Sequence, residues 1–195
     1  RPFVLIEGIY EGEHLCTPQR VRSQAYWSLL TGAAGHFYGN NPVWNFDAPT
    51  RVFTADRPWK EAMDSQGARD MMRLRSLWGT IPWHTLVPDA AHQFAVSGYG
   101  SVSTSGYSAA AVARDGATAI AYVAADAPGT LTIAAPAGSA ILSAEWIDPS
   151  SGKRFPAAVK AGSQGRRSDV TIPGANGSGA KDWILHVQMR PRGAH

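Results

Sequence analysis

The sequence predicts an α/β portion followed by an all-β portion. Residues 1–81 alternate short apolar strands with longer helical segments, whereas residues 93–195 contain short apolar runs separated by turns. The first pattern is typical of parallel α/β folds, and the second is typical of an antiparallel β-sandwich. We therefore predict two domains, 1–81 and 93–195, with residues 82–92 as the junction between them.

The composition indicates a globular chain and argues against two classes of partner. The 195 residues, 44% of them hydrophobic, suffice for one sizeable core or two modest ones. No apolar run approaches the roughly 20 residues of a membrane helix, so no membrane span is expected. The net charge of +3 is spread thinly, without a basic stripe, which argues against nucleic acid. The single cysteine, Cys16, excludes an internal disulfide and is predicted to be an inert thiol.

An apolar run from Phe3 to Ile6 opens the chain and ends in the carboxylate of Glu7, which Gly8 follows at once. Such a run predicts a strand that is buried on both faces. Catalytic groups of parallel α/β folds lie at the carboxyl ends of strands, so Glu7 is a candidate catalytic residue. The structural alternative is that Glu7 pairs with a nearby arginine such as Arg22 and only stabilises the loop. The spacing alone favours neither interpretation.

Two helices and a second strand follow in this first portion. Thr17-Pro18 is a helix start, because threonine caps free amides and proline is tolerated in the first turn, and the helix runs to about Leu30. A short strand is predicted at 36–39, and a second helix at 65–78. Two β/α units cannot close a barrel alone, so they correspond to the last quarter of one.

Seven short strands are predicted in the second portion, at 94–96, 109–114, 118–123, 130–134, 140–147, 169–172 and 183–188. Trp146 and Trp183 lie inside apolar strands, so both are predicted to anchor the core rather than to form a ligand platform.

Three motifs in the first 44 residues carry a family resemblance. They are Ile6-Glu7-Gly8-Ile9-Tyr10-Glu11, the helix segment Arg22-Ser23-Gln24-Ala25-Tyr26-Trp27, and Gly32-Ala33-Ala34-Gly35-His36-Phe37-Tyr38-Gly39-Asn40-Asn41-Pro42-Val43-Trp44. Together they resemble the end of the apiosidase-like (β/α)8-barrel glycoside hydrolases. The resemblance implies that the first portion is the last two β/α units of a TIM-type barrel.

The second portion carries its own resemblance. Its motifs are Trp83-His84-Thr85-Leu86-Val87-Pro88-Asp89, Ala121-Tyr122-Val123 and Trp146-Ile147-Asp148-Pro149-Ser150-Ser151-Gly152. They are similar to the domain usually attached to these barrels, which is named a collagen-binding domain of a collagenase. The two resemblances cover nearly the whole chain, and the family implies a secreted or periplasmic protein. The high Ala and Gly content, with 14 Arg against 4 Lys, favours a bacterial source.

The family resemblance implies that Glu7 matches the catalytic nucleophile. Retaining glycosidases need two carboxyl groups roughly 5–5.5 Å apart, one as nucleophile and one as acid/base. The resemblance places the acid/base at the end of the fourth barrel strand, which this sequence does not contain. Glu11 and Glu13 lie in the same loop as Glu7 and are poor substitutes.

Seven further residues are candidates for substrate binding. Tyr10 and Glu11 either hydrogen-bond a sugar or brace the loop that carries Glu7. Trp44 either stacks on a sugar ring or fills the loop core. The others lie where the eighth strand delivers side chains to a pocket, or else they fill the barrel interior; these are His36, Tyr38, Asn40 and Asn41.

Two functional hypotheses from different classes follow. The first is the C-terminal part of a retaining glycoside hydrolase that cleaves side-chain sugars of polysaccharides, with an oligosaccharide or polysaccharide substrate. Its missing barrel segment then comes from the same or another chain. The second is a carbohydrate- or collagen-binding β-sandwich with a non-catalytic barrel remnant. No metal and no cofactor are expected, because the histidines lack ligand spacing and no phosphate-binding loop is present.

Overall fold

A computed structural model describes residues 2–46, 55–161 and 167–190. In its first part, strand β1 (Val4–Leu5) pairs in parallel with β2 (Gly35–His36), and helix α1 (Pro18–Leu30) connects them. The Thr17 side chain accepts a hydrogen bond from the Arg20 amide and caps α1. The predicted helix is thus confirmed at both ends.

The opening strand is shorter and more exposed than its apolar run predicts. Phe3, Val4 and Ile6 are 51%, 42% and 73% exposed, so the prediction of a strand buried on both faces is wrong. The reason is that β2 is the only strand beside β1 within the described residues.

Two helices complete the first part. The short α2 (Trp59–Ala62) was not predicted, and residues 47–54 of the connection before it lie outside the described residues. Helix α3 (Gln66–Trp78) begins after Ser65, whose hydroxyl accepts a hydrogen bond from the Ala68 amide. This confirms the second predicted helix to within one residue.

Ten strands form two antiparallel sheets in the described part of the chain. A six-stranded sheet has the order β3-β5-β6-β12-β8-β9, and a four-stranded sheet has the order β10-β11-β7-β4. The strands are β3 (Leu86–Pro88), β4 (Ala95–Ser97), β5 (Ala109–Ala113), β6 (Thr118–Val123), β7 (Thr130–Ala134), β8 (Ala140–Ile147), β9 (Arg154–Pro156), β10 (Val159–Ala161), β11 (Arg167–Thr171) and β12 (Trp183–Arg190).

All seven predicted strands are present, three of them with the predicted bounds. Strands β9 and β10, of three residues each, were not predicted. Strand β3 lies in the segment 82–92 that was predicted as a junction, so this segment contributes an edge strand to the six-stranded sheet.

The two sheets share an apolar core, which is the arrangement of a β-sandwich. Leu131, Ile133 and Val170 of the four-stranded sheet pack with Leu185 and Val187 of the six-stranded sheet. The rings of Trp146 and Trp183 are buried in this core with their centroids 6.5 Å apart, which confirms both as core anchors.

A second apolar cluster joins the helices to the outer face of the six-stranded sheet. Tyr26 of α1 stacks on Tyr122 of β6, with ring centroids 5.0 Å apart. Successive side chains of a strand point to opposite faces, so Ile120 and Tyr122 meet the helices while Ala119 and Ala121 meet the other sheet. Because both faces of β6 are covered, its sequence is a continuous apolar run rather than an alternation.

Candidate functional site

The carboxylate of Glu7 is exposed on the loop that follows β1. Gln24 of α1 clamps this loop, because its amide oxygen accepts from the Ile9 N–H at 2.8 Å and its amide nitrogen donates to the Ile9 carbonyl at 3.0 Å. Gly8 makes the clamp possible, since a Cβ there would lie 2.1 Å from the Gln24 Oε1. Helix α1 therefore fixes the backbone two residues from Glu7.

Arg22 does not pair with Glu7, so the arginine named as its possible partner was the wrong one. The Arg22 guanidinium contacts Asp70 of α3 at 2.6 Å and forms two 2.8 Å hydrogen bonds with Asp182, next to β12. All three side chains are at most 1% exposed. Burial opposes the charge of Arg22, but the hydrogen bonds and charges of both aspartates raise its pKa. The ion group joins two helices to the sandwich.

Glu11 is held by groups from two segments, the chain after β2 and the N-terminus of α3. Its Oε2 accepts from the hydroxyls of Ser65, at 2.7 Å, and Tyr38, and its Oε1 accepts from the Gly67 N–H at 3.1 Å. Burial first, and then the neighbouring Glu11 carboxylate, raise the pKa of Tyr38. Both carboxylate oxygens are thus engaged at the N-terminus of α3.

A cavity of about 300 Å³ brings together several predicted binding residues, namely Tyr10, Tyr38, Asn40 and Trp44. Asn40 is buried, and its amide nitrogen donates to the Ser65 hydroxyl at 3.1 Å. Trp44 is 43% exposed and its indole N–H donates to the buried carboxylate of Glu13 at 2.9 Å. Its ring is therefore oriented but accessible.

Two other predicted residues lie apart from that cavity. His36 lines a separate space against Met71, Leu74 and Trp78, and burial lowers its pKa. Asn41 is buried, and its N–H donates to the Glu11 carbonyl at 2.9 Å. In the structure, both residues contribute to the packing around β2.

The sequence reasoning missed the groups that position the loop. Gln24, Ser65 and Gly67 were assigned only to helices, because their partners lie 15, 54 and 56 residues away. The second helix was correctly predicted to begin near Ser65, but the apolar spacing that indicates this helix does not reveal that the Ser65 hydroxyl donates to a distant carboxylate.

Within the described residues, no group of three or more His, Cys, Asp or Glu side chains is placed to hold a metal ion. The same residues include no helix long and apolar enough to cross a bilayer. Cys16 is buried, and this burial raises the pKa of its thiol, which disfavours the reactive thiolate.

Comparison with known proteins places the chain among glycoside hydrolase folds. Residues 1–85 match the family model of the apiosidase-like catalytic domain. A solved glycoside hydrolase shares 24% identity over 96% of this chain, with a TM-score of 0.74. A glycoside hydrolase family 5 protein from Bacteroides vulgatus ATCC 8482 shares 23% identity over 96% of the chain, with a TM-score of 0.72. A comparison with curated proteins gave no match.

A weaker likeness links the chain to a bacterial fucosidase solved with an iminocyclitol inhibitor. It has 14% identity and a TM-score of 0.50 over 91% of this chain and 33% of the fucosidase. The chain also spans only 42% and 41% of the two glycoside hydrolases above. These likenesses concern the fold, and they show that the chain corresponds to less than half of each solved relative.

Proposed function

We propose that this chain is the C-terminal part of a retaining glycoside hydrolase that removes side-chain sugars from polysaccharides. Residues 1–81 are then the last two β/α units of a (β/α)8 barrel, and the sandwich is an accessory domain fixed to them. The observation that carries the proposal is the exposed Glu7, which follows β1 on a clamped loop inside the segment that matches an apiosidase-like catalytic model.

In the proposed reaction, Glu7 acts as the nucleophile. A Glu7 carboxylate oxygen bonds to the anomeric carbon while the glycosidic C–O bond breaks, and an acid protonates the departing oxygen. Water then attacks the same carbon, its proton goes to the conjugate base of that acid, and Glu7 is released. The acid/base comes from a barrel segment outside residues 1–195, because Glu11 and Glu13 are already engaged by Ser65 and Trp44.

The predicted neighbours of Glu7 divide into two roles in this proposal. Trp44 and Tyr10 form an accessible aromatic wall on which a sugar ring stacks, since they line the same cavity. Glu11, Tyr38 and Asn40 hold that wall against α3. Asn41 and His36 support β2.

An exposed apolar surface of this chain is suited to packing against the proposed missing barrel segment. Phe3, Val4, Ile6 and Phe37 are all exposed large apolar side chains at or next to the β1–β2 pair. Such a group at a sheet edge favours association, so we propose that six further barrel strands, in the same or another chain, pack against it. A polysaccharide substrate is too large to enter a cell, which supports a secreted or periplasmic bacterial enzyme.

Collagen binding by the sandwich stays a sequence-based prediction. The contacts with α1 and α3 support a different role for this domain, which is to hold the helices that position the Glu7 loop.

Trapping of the covalent intermediate tests the proposal. The enzyme completed with its barrel segment is first screened with aryl glycosides of plant side-chain sugars, apiose among them. The matching 2-deoxy-2-fluoro glycosyl fluoride is then added, and peptide mass spectrometry locates the adduct. We expect one adduct, on Glu7, because the 2-fluorine slows both displacement steps while the fluoride leaving group keeps the first step fast, so the intermediate accumulates.

Glu61→Gln, which removes an exposed carboxylate on α2, is the matched control for Glu7→Gln. We expect Glu7→Gln to abolish both turnover and labelling, whereas Glu61→Gln retains both. An adduct on another residue, or turnover by Glu7→Gln at the unsubstituted rate, would contradict the assignment.

A further inference from the structure

We propose that a second site, between helix α1 and the loop 98–107 of the sandwich, binds a neutral saccharide. This α1 cavity has a volume of about 560 Å³, which falls in the roughly 300–1,000 Å³ range of small-molecule sites. It is separate from the cavity that contains Trp44, and its function does not depend on catalysis by Glu7.

One part of the cavity wall is aromatic and aliphatic, which is the kind of surface on which a sugar ring stacks. Trp27 and Tyr107 supply aromatic surface, and Ile9 and Val102 extend it. The indole N–H of Trp27 donates to the Tyr107 carbonyl at 2.8 Å, so the ring contributes its carbon surface to the wall. The C–H face of a sugar suits such a surface.

The cavity is also lined by one positively charged and one negatively charged side chain. Arg20 is exposed, and no acceptor among the described residues takes a hydrogen bond from its guanidinium. On the opposite side, Asp126 accepts from the Ser105 hydroxyl at 2.8 Å. One cation and one carboxylate balance each other, so the cavity favours a neutral polyhydroxylated ligand over an anionic one.

The loop that forms one wall is fixed before any ligand arrives. The Ser108 N–H donates to the Tyr99 carbonyl at 2.7 Å, and the Thr104 hydroxyl donates to the Ser101 carbonyl at 2.8 Å. Gly100 has a φ of +76°, and a Cβ there would lie 2.3 Å from the Gly106 carbonyl oxygen. A preformed wall lowers the entropic cost of binding.

The position of the cavity suits a saccharide that continues from the Glu7 loop. Ile9 and Gln24 line the cavity, and they are the two residues joined by the amide clamp beside Glu7. A polymer that occupies both places is held at two points, which raises its effective concentration at the loop.

Affinity electrophoresis of the purified chain tests this site. The gels contain xylan, arabinan, galactan or β-glucan as neutral probes and polygalacturonate as the acidic one. We expect at least one neutral polysaccharide to retard the unsubstituted chain. The double variant Arg20→Ala, Asp126→Ala should raise the apparent dissociation constant about tenfold, and Thr104→Trp, which fills the cavity, should abolish retardation.

Arg69→Ala removes an exposed arginine elsewhere, on α3, and should leave retardation unchanged. Melting temperatures confirm that each variant is folded. Retention of binding by Glu7→Gln, together with its loss in Thr104→Trp, supports the site independently of the trapping experiment. Retardation by polygalacturonate alone, by no neutral probe, or equally by Thr104→Trp and the unsubstituted chain would overturn the proposal.

Discussion

Arg22 and Asp182 form a paired contact in which the guanidinium Nε and Nη2 each lie 2.8 Å from one carboxylate oxygen. The two residues are 160 positions apart, and the contact joins the middle of α1 to the chain just before β12. Asp70 completes the group from α3, and the Tyr122 hydroxyl donates to Asp182 at 2.9 Å. The helices and the sandwich are therefore joined by a buried charge network as well as by apolar packing.

The first prediction concerns this network. Arg22→Met leaves the buried carboxylate of Asp182 without its cation and leaves Asp70 paired only with Arg73 at 3.0 Å. Breaking a buried ion pair in this way typically costs about 3–5 kcal/mol. We expect the free energy of unfolding to fall by that amount in urea titrations. Arg57→Met removes the exposed ion pair with Asp56 and is the control that should leave the midpoint unchanged. Equal midpoints for Arg22→Met and the unsubstituted chain would show that the network is not stabilising.

The second prediction concerns the contact between Glu11 and α3. In Gly67→Ala the new Cβ would lie 2.3 Å from the Glu11 Oε2, so the carboxylate must leave the Ser65 hydroxyl. We expect a loss of about 1–3 kcal/mol in the free energy of unfolding, because a group that accepts several hydrogen bonds is displaced. Alanine is intrinsically better than glycine in a helix, so destabilisation cannot come from helix propensity.

Gly79→Ala is the matched control for Gly67→Ala, because Gly79 follows the same helix and a Cβ there meets its closest atom at 3.4 Å. Thermal denaturation followed by circular dichroism compares the two. A stabilised Gly67→Ala variant is incompatible with the proposed role of Glu11.

The features with local causes were predictable from the sequence. Helix α1 begins at the position that Thr17 and Pro18 predict. Strand β6 was predicted from an apolar run between two turns. Capping and strand patterns depend on neighbouring residues, so a single sequence contains their causes. The position of Glu7 at a strand end was found for the same reason.

The features that depend on distant contacts were not predictable. The sequence suggested Arg22 as one possible partner of Glu7, but in the structure Arg22 pairs with Asp70 and Asp182. The exposure of β1 was also missed. An apolar run indicates that a strand is suited to burial, but it does not indicate whether a neighbouring element covers the strand. Gln24 went unnoticed because its function is directed at a backbone rather than at another side chain.

The third prediction concerns Gln24 as a positioning residue. Gln24→Ala removes both hydrogen bonds to Ile9, so the loop that carries Glu7 is no longer fixed from α1. In the completed enzyme we expect kcat to fall by about 10²-fold, the typical effect of an ångström-scale displacement of a reacting group, with KM changing less. Ser28→Ala, which removes only a hydrogen bond within α1, is the control. Equal kcat values for the two variants would exclude a positioning role.

The fourth prediction concerns the pH dependence of stability at Asp148, in the loop after β8. Burial opposes ionisation of this carboxyl, but hydrogen bonds from Ser151, Ser150 and Gly177 outweigh burial and lower its pKa. A pKa that is lower in the folded state means that the unfolded chain binds the proton more tightly. The stabilisation is therefore complete above the unfolded pKa of about 3.9, and it is lost as the pH falls through the lower folded value.

Asp148→Asn should consequently lower the free energy of unfolding by about 1–3 kcal/mol at neutral pH, and this difference should shrink below about pH 4. Urea titrations across this range measure it, with Asp64→Asn, an exposed carboxylate ahead of α3, as the control. The difference must diminish towards acid, because protonation removes from the unsubstituted chain the same charge that the variant lacks. A difference that grows as the pH falls would mean that Asp148 is held in its protonated form, and that the hydrogen bonds from Ser150, Ser151 and Gly177 do not stabilise its charge.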